Sequence, residues 1–266
     1  MSHRPRKRFG QHFLHDPGVI RRIIAAIDPR PGQRVVEIGP GRGAITAPLL
    51  KKLGELDVVE LDRDVIPLLQ QTCAGLGRLH VHSADALSFD FAALARSGHP
   101  LRLVGNLPYN ISTPLLFHLL AQQTPIHDMH FMLQKEVVTR MAATPGGRDY
   151  GRLTVMLAAR CQVEHLFDIG PGAFTPPPRV RSAFVRLTPW PQLPFPEADT
   201  ARFARVVSQA FSMRRKTLRN SLRPLLDADA IAAADCDPSA RAETLAPADF
   251  ARLAAALGRT AKPGGD

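Results

Sequence analysis

Cysteine is scarce in this chain. Cys73, Cys161 and Cys236 are the only three, far apart, odd in number and without a CxxC pair. That excludes a disulfide framework and a zinc knuckle, and it fits a reducing, cytoplasmic setting. No metal is expected either: the ten histidines are scattered, and His80/His82 and His127/His130 have no neighbouring cysteine or carboxylate that completes a ligand set. Long apolar runs are missing, and nothing approaches the roughly 18–20 residues of a membrane-spanning helix. The first residues are basic but lack the apolar stretch and the cleavage site of a secretory signal. The last shortage is of acid. Aspartate and glutamate number 24 against 34 lysines and arginines, a formal net charge of +10. A surplus of that size points to a polyanionic partner, nucleic acid before membrane.

What is present is ordinary globular material. Of 266 residues, 45% are hydrophobic and 22% charged, enough for one large domain or a medium domain with a small one. From residue 16 to about 133, short apolar runs alternate with helical patterns. Asp16-Pro17 reads as an N-cap followed by proline in the first turn, and isoleucines then recur at helical spacing. Strands are expected at 34–38, 56–60, 79–82, 101–105 and 129–133. Helices are expected at 44–53, 64–71, 90–96, 113–122 and 135–142. Such alternation predicts an α/β fold with a mostly parallel sheet covered on both faces. Two longer β patterns, 161–169 and 180–187, are expected as antiparallel strands added at the end, with FTPPPR (174–179) between them. The run 188–197 has four prolines in ten residues, so a linker is placed at 189–198. Beyond it the chain turns to alanine, leucine and arginine, and 199–266 is expected to be a small all-helical domain.

The turn after the first of these strands is Glu37-Ile38-Gly39-Pro40-Gly41-Arg42-Gly43. Glycines there let a backbone approach a ligand, and the helix that follows offers free N–H groups. Glu60 closes the next strand about twenty residues later, where a carboxylate can accept both hydroxyls of a ribose. A dinucleotide and S-adenosylmethionine share this layout. The spacing GxGxG, rather than GxGxxG, favours the second ligand. So does the acid Glu37, which suits an ammonium and a sulfonium and suits a pyrophosphate badly. Asp85, past the following strand, is placed to accept from an adenine amino group. A plain tight turn with incidental acids would explain the glycines alone, but not acids at the ends of three successive strands.

Asn106-Leu107-Pro108-Tyr109 follows the strand at 101–105 and so faces the same crevice. An exocyclic adenine amine is a poor nucleophile, because its lone pair is delocalised into the ring. It needs two acceptors for its N–H bonds rather than a strong base. The Asn106 side-chain oxygen and the Leu107 carbonyl are the candidates. Pro108 stiffens the turn, and Tyr109 offers a face for stacking. Turns of this composition are common, so the motif gains weight only beside the glycine turn.

FGQHFL (9–14), EIGPGRG (37–43), VVELDRD (58–64), GNLPYNIS (105–112), MLQKEV (132–137), AFTPPPRVRSAFVRL (173–187) and RRKTLRNSL (214–222) occur in that order. Together they resemble the ribosomal RNA adenine dimethyltransferases, and among them the small-subunit branch whose loss confers kasugamycin resistance. The resemblance covers residues 4 to 256. It implies a class I methyltransferase domain over 1–188, with S-adenosyl-L-methionine as donor and S-adenosyl-L-homocysteine as product. It also implies two adjacent adenosines near the 3′ end of 16S ribosomal RNA as acceptors, in a small-subunit precursor. By the same resemblance His12, Leu14, Gly39, Gly41, Glu60, Asp85 and Asn106 contact the cofactor, and Phe174 closes on the target base opposite Tyr109. His12 is a departure, since the family usually has asparagine there; its ring nitrogen is expected to face the methionine end of the cofactor.

Two basic clusters would meet RNA: Arg4, Arg6, Lys7 and Arg8 at the start, and Arg214, Arg215, Lys216, Arg219 and Arg223 in the tail. Residues 200–226 hold no acid. At helical spacing Arg215, Arg219 and Arg223 are expected on one face. A solvated helix face is the plainer reading of such a run. Three other functions stand as alternatives: an assembly factor that binds small subunits without catalysis, a large-subunit dimethylase of the macrolide-resistance type, and a dinucleotide-dependent oxidoreductase. The intact Asn106–Tyr109 turn, the length of the helical tail and the glycine spacing disfavour them in turn. A monomer is the simplest expectation.

Overall fold

The first helix shows how local sequence sets local structure in this protein. In the computed structural model, which describes residues 12–95, 99–108, 111–122, 124–196 and 200–260, α1 runs Pro17–Ile27. Asp16 Oδ1 accepts from Val19 N at 2.8 Å, and Pro17 stands at the first helical position. Ile23, Ile24 and Ile27 are buried, and the helix ends at Asp28 in the left-handed region. The remaining elements of the α/β part are β1 (Phe13–Leu14), β2 (Arg34–Ile38), α2 (Thr46–Leu53), β3 (Glu55–Glu60), α3 (Ile66–Cys73) and β4 (Arg78–Ser83). After them come β5 (Leu101–Asn106), α4 (Ser112–Ala121), β6 (Ile126–Gln134), α5 (Lys135–Met141), β7 (Cys161–Ile169), β8 (Phe174–Thr175) and β9 (Ser182–Pro189), while α6 (Arg152–Ala158), between α5 and β7 in the chain, belongs to the second unit.

Seven strands form one sheet in the order β4-β3-β2-β5-β6-β9-β7. The β4-β3-β2-β5-β6 run is parallel, and β9 lies antiparallel to β6, from Met129↔Leu187 to Gln134↔Ser182. The fold is therefore α/β, a mostly parallel sheet with antiparallel addition at one end, as the pattern predicts. The chain moves outward from β2 through β3 to β4, then returns to β2's other side as β5. The switch point therefore lies between β2 and β5, where open α/β sheets bind ligands beyond the strand ends.

Two features lock that centre. Ile38 pairs with Gly105, and a Cβ built on Gly105 would sit 2.5 Å from the Ile38 carbonyl oxygen. Only glycine permits this approach. At the opposite end of the strands, Arg102 makes a bidentate pair with Asp128 at 2.9 and 2.8 Å and also donates to the carbonyls of Ile27 and Asp28 and to Gln33. Burial alone would raise the Asp128 carboxyl. His130 and Arg102 beside it instead hold it well below the usual carboxylate range. A buried cation and anion so fully bonded fix β5 against β6 and α1.

The chain divides into two units. The first holds the described residues through Val138 together with Glu164–Thr188, around a core that includes Ile23, Leu49, Val58, Leu69, Val104 and Phe184. The second holds Thr139–Val163 and the described residues from Pro189 on. Its core includes Tyr150, Val155, Phe203, Val207, Leu222, Ile231, Phe250 and Leu253. Its helices are α6, α7 (Ala201–Ala210), α8 (Leu218–Ser221), α9 (Ala228–Ala233) and α10 (Pro247–Thr260). The boundary thus differs from a simple cut at 188. The excursion 139–163 carries Tyr150 and Val155 into the second core, and Tyr150 Oη donates to the Leu245 carbonyl at 2.8 Å. The expected linker also starts differently: β9 runs to Pro189, and Trp190 N bonds the Arg160 carbonyl at 3.0 Å.

Local corrections follow from hydrogen bonding. The helix expected at 90–96 is a single 3-10 turn over Phe91–Leu94, begun by Asp90 accepting from Ala92 N at 2.9 Å. The face expected to carry Arg215, Arg219 and Arg223 does not exist as one helix. Arg215 lies in a turn, Arg219 in the four-residue α8, and Arg223 in the turn after it. Among the described residues no helix is long and apolar enough to cross a membrane, and no cluster of three or more metal-ligating side chains occurs.

Candidate functional site

At the carboxyl ends of β2, β3 and β5 the first unit opens into a cavity of about 190 Å³. The glycine turn forms its floor. Gly39, Gly41 and Gly43 have φ of 68°, 55° and 89°, so this loop needs a backbone conformation that L side chains rarely adopt. A side chain at Gly41 would also strike the Phe13 ring at 3.3 Å. The turn stays pressed to the sheet because Gly39 N donates to the Val59 carbonyl at 2.9 Å.

The acids stand where the strands end. Glu60 accepts from Gly41 N at 3.2 Å through one oxygen and from Asp62 N at 2.8 Å through the other. Burial raises its pKa against those two backbone bonds. Glu37 is 1% exposed, and its Oε2 has no hydrogen-bond partner among the described residues. Burial pushes its carboxyl up to about 8. Asp85 lies at the rim, its Oδ1 accepting from Leu87 N at 2.9 Å. With Asp62, four carboxyl groups and one arginine, Arg42, line this cavity among the described residues. Such a wall attracts a cation and repels a pyrophosphate.

Asn106, Leu107 and Pro108 border the same cavity. Leu107 N donates to the Met132 carbonyl at 3.2 Å and the Pro108 carbonyl accepts from Ile111 N at 3.2 Å. Both bonds hold the turn by its backbone. Asn106 Nδ2 donates to the His12 carbonyl at 3.1 Å, which leaves Oδ1 as the atom that can accept from a ligand. Tyr109 lies outside the described residues.

The N-terminal side is closed by β1, whose Phe13 and Leu14 pair antiparallel with Thr175 and Phe174 of β8. His12, Leu14 and Phe174 all line the cavity, although Leu14 and Phe174 are mostly buried in the core of the unit. The structure therefore brings His12, Leu14, Gly39, Gly41, Glu60, Asp85, Asn106, Leu107, Pro108 and Phe174 to one place. The His12 ring differs from expectation: its Nδ1 lies 2.7 Å from the Pro176 carbonyl oxygen. Among the lining residues that the sequence reading does not single out are Phe13, Arg42 and Asp62. Phe13 and Arg42 face each other, with the guanidinium carbon 4.3 Å from the ring centre, and Asp62 follows Glu60 by two residues. The repeated acids of ELDRD (60–64) were the available signal for Asp62; nothing local marks Phe13.

In the basic tail, Arg214 is engaged within the second unit, by Glu243 at 3.4 Å and by the Arg148 carbonyl. Arg215, Lys216, Arg219 and Arg223 are exposed. Arg4, Arg6, Lys7 and Arg8 lie outside the described residues.

Comparison with known proteins gives a consistent picture. Residues 2–258 match the family described as ribosomal RNA adenine dimethylase. The ribosomal RNA small subunit methyltransferase A of Pseudomonas aeruginosa is 60% identical over 253 residues, 95% of this chain and 94% of that protein. Among solved structures, a dimethyladenosine transferase from Plasmodium falciparum superposes with a TM-score of 0.78 at 26% identity, covering 91% of this chain and 96% of that one. The 23S rRNA methyltransferase ErmE gives 0.72 at 25% identity, covering 92% and 99%.

Proposed function

Since the chain belongs to the ribosomal RNA adenine dimethylase family, we propose that its cleft holds S-adenosyl-L-methionine at the glycine turn and the target adenine at Asn106. The protein is an enzyme that dimethylates adenine in small-subunit ribosomal RNA. The acceptors on this reading are two adjacent adenosines near the 3′ end of 16S RNA, presented by a precursor subunit to a monomeric enzyme in the cytoplasm. One observation carries the reading: the acids that suit a cationic nucleoside and the amide that suits an adenine amine open onto one cavity.

The residues present fit the cofactor. A buried carboxyl at Glu37 whose Oε2 has no hydrogen-bond partner among the described residues, backbone cradled by three left-handed glycines, and Glu60 held in place by two N–H groups are what an adenosyl sulfonium requires. Bound there, S-adenosylmethionine supplies a methyl group already activated by positive sulfur. Glu60 would take the ribose hydroxyls, Asp85 the adenine amine of the cofactor, and Gly39 and Gly41 the close backbone contact.

The protein's own work is on the acceptor. Asn106 Oδ1 and the Leu107 carbonyl hold the two N–H bonds of the target amine and favour a pyramidal nitrogen. Neither needs to be a strong base, and no metal is required. Tyr109 and Phe174 would enclose the base. The adenosine must first leave its stack, at a cost of a few kcal/mol that a single-stranded loop reduces. Arg215, Lys216, Arg219 and Arg223 would grip phosphates, for which the arginine fork is suited.

The test is methyl transfer itself. Methyl-labelled S-adenosylmethionine is incubated with the protein and small subunits lacking the modification, and the label is located in the RNA. Dimethyladenosine at two neighbouring positions near the 3′ end is expected. Label on another base, or no label in the small-subunit RNA, contradicts the assignment.

A further inference from the structure

We infer that His12 is a positioning residue for Asn106, tying the catalytic amide to the N-terminal strap through its own backbone, rather than a ring ligand of the cofactor. The inference rests on the reading of Asn106 Oδ1 as the acceptor of the target amine. Three hydrogen bonds carry it. His12 Nδ1 lies 2.7 Å from the Pro176 carbonyl oxygen. A carbonyl can only accept, so Nδ1 bears the proton in this contact. Next along the chain, Phe13 and Leu14 pair with Thr175 and Phe174, and His15 N donates to the Ala173 carbonyl at 2.9 Å. The strap is thus sewn to the 173–176 segment at each successive residue. Finally, the His12 carbonyl receives Asn106 Nδ2 at 3.1 Å.

This last contact decides which end of the amide meets the substrate. An asparagine side chain can turn over about its last torsion and exchange Oδ1 for Nδ2 with little change of shape. Turned over, it would aim a donor at the N–H bonds of adenine and lose the acceptor. The His12 carbonyl fixes the productive orientation, because only Nδ2 can bond to it. The ring's bond to Pro176 is the stitch at His12 itself, beyond the β1–β8 pairs, and it helps to hold that carbonyl in place. His12 therefore links the segment after β8 to the chemistry at the end of β5.

The atom that matters is a donor two bonds from Cβ. Histidine Nδ1 is such a donor, and asparagine Nδ2 occupies the same place. Aspartate has the shape of asparagine but sets an acceptor against the Pro176 carbonyl. The experiment uses the full-length protein, unmethylated small subunits and saturating S-adenosylmethionine in single turnover, with S-adenosylhomocysteine affinity measured by calorimetry. His12→Asp is expected to lower the saturated rate by about tenfold or more, the factor that corresponds to one hydrogen bond. Its affinity for S-adenosylhomocysteine should stay within about threefold, since the ring is not a cofactor ligand. His12→Asn is expected to recover most of the lost rate. Should the aspartate unfold the protein, His12→Ala removes the donor without adding charge and reads the same division between rate and affinity.

A full saturated rate in His12→Asp, or a defect found entirely in cofactor affinity, overturns the inference. Asn106→Ala, run in parallel, separates the two levels. If it keeps the full rate, the reading of Asn106 itself fails; if it is inactive while His12→Asp is not, only the role of His12 falls.

Discussion

Glu37 sets the proton balance of the cofactor cleft. Buried against the glycine turn, its carboxyl is held protonated up to about pH 8 in the ligand-free protein, against an ordinary value of 4.5. In the unfolded chain it ionises at the ordinary value. Its contribution to stability is therefore complete below about 4.5 and lost as the pH rises through about 8. A cationic ligand reverses the preference, because positive charge favours the carboxylate. Binding of S-adenosylmethionine should release more proton than binding of S-adenosylhomocysteine, which keeps the ammonium but has a neutral thioether in place of the sulfonium. The ratio of the two affinities, measured by calorimetry from pH 6 to 9, is expected to move in favour of S-adenosylmethionine until about pH 8 and then level off. In Glu37→Gln that ratio should be flat. A wild-type ratio independent of pH would remove Glu37 from cofactor recognition. Residues such as Glu37, Glu60 and Asn106 were legible in the sequence because they punctuate strand ends, where a polar group after an apolar run has no packing role. Phe13 and Arg42 were not, since each meets the cavity only through a contact the fold creates.

At the scale of elements, the pairing of β2 with β5 holds the glycine turn and Asn106 in one frame. Gly105→Ala would force its Cβ to within 2.5 Å of the Ile38 carbonyl, so the strands must part. A loss of about 1–3 kcal/mol in denaturant unfolding is expected, the range for overpacking a tight site. Methyl transfer should fall by more than that loss of folded protein explains, because Asn106 is the next residue. Unchanged stability and rate would show the pairing to be loose. Of the large sheet, β2 and β3 announced themselves by paired valines closed by glycine or acid. β1 and β8, two residues each, are too short for any periodicity and exist only by pairing with each other. The excursion 139–163 was equally illegible, as its apolar residues say that they are buried but not in which core. The arginines at 215, 219 and 223 misled for a physical reason. Their spacing suits a helix, but Thr217 begins a new short helix and Pro224 ends any continuation.

For the whole molecule, the surplus of ten positive charges must be read against the acids gathered in the cleft. On the proposed reading, the negative groups of the cavity serve a cationic cofactor, and exposed basic residues elsewhere are left for RNA. If Arg215 and Arg219 each neutralise a phosphate, replacing both by glutamine should weaken subunit binding. It should also flatten the dependence of log affinity on log salt by roughly 0.7–0.9 per contact. An unchanged slope in a filter-binding titration would mean that these side chains face solvent in the complex. The charge surplus and the two-part division were visible in composition; the route of the chain between the parts was not. The most direct test of the account is a crystal structure of the protein with S-adenosylhomocysteine bound. The nucleoside is expected in the cleft between the glycine turn and Glu60, with Asn106 Oδ1 facing the open end and its Nδ2 still on the His12 carbonyl. Density for the nucleoside at another place, or Asn106 turned away from it, would contradict the account.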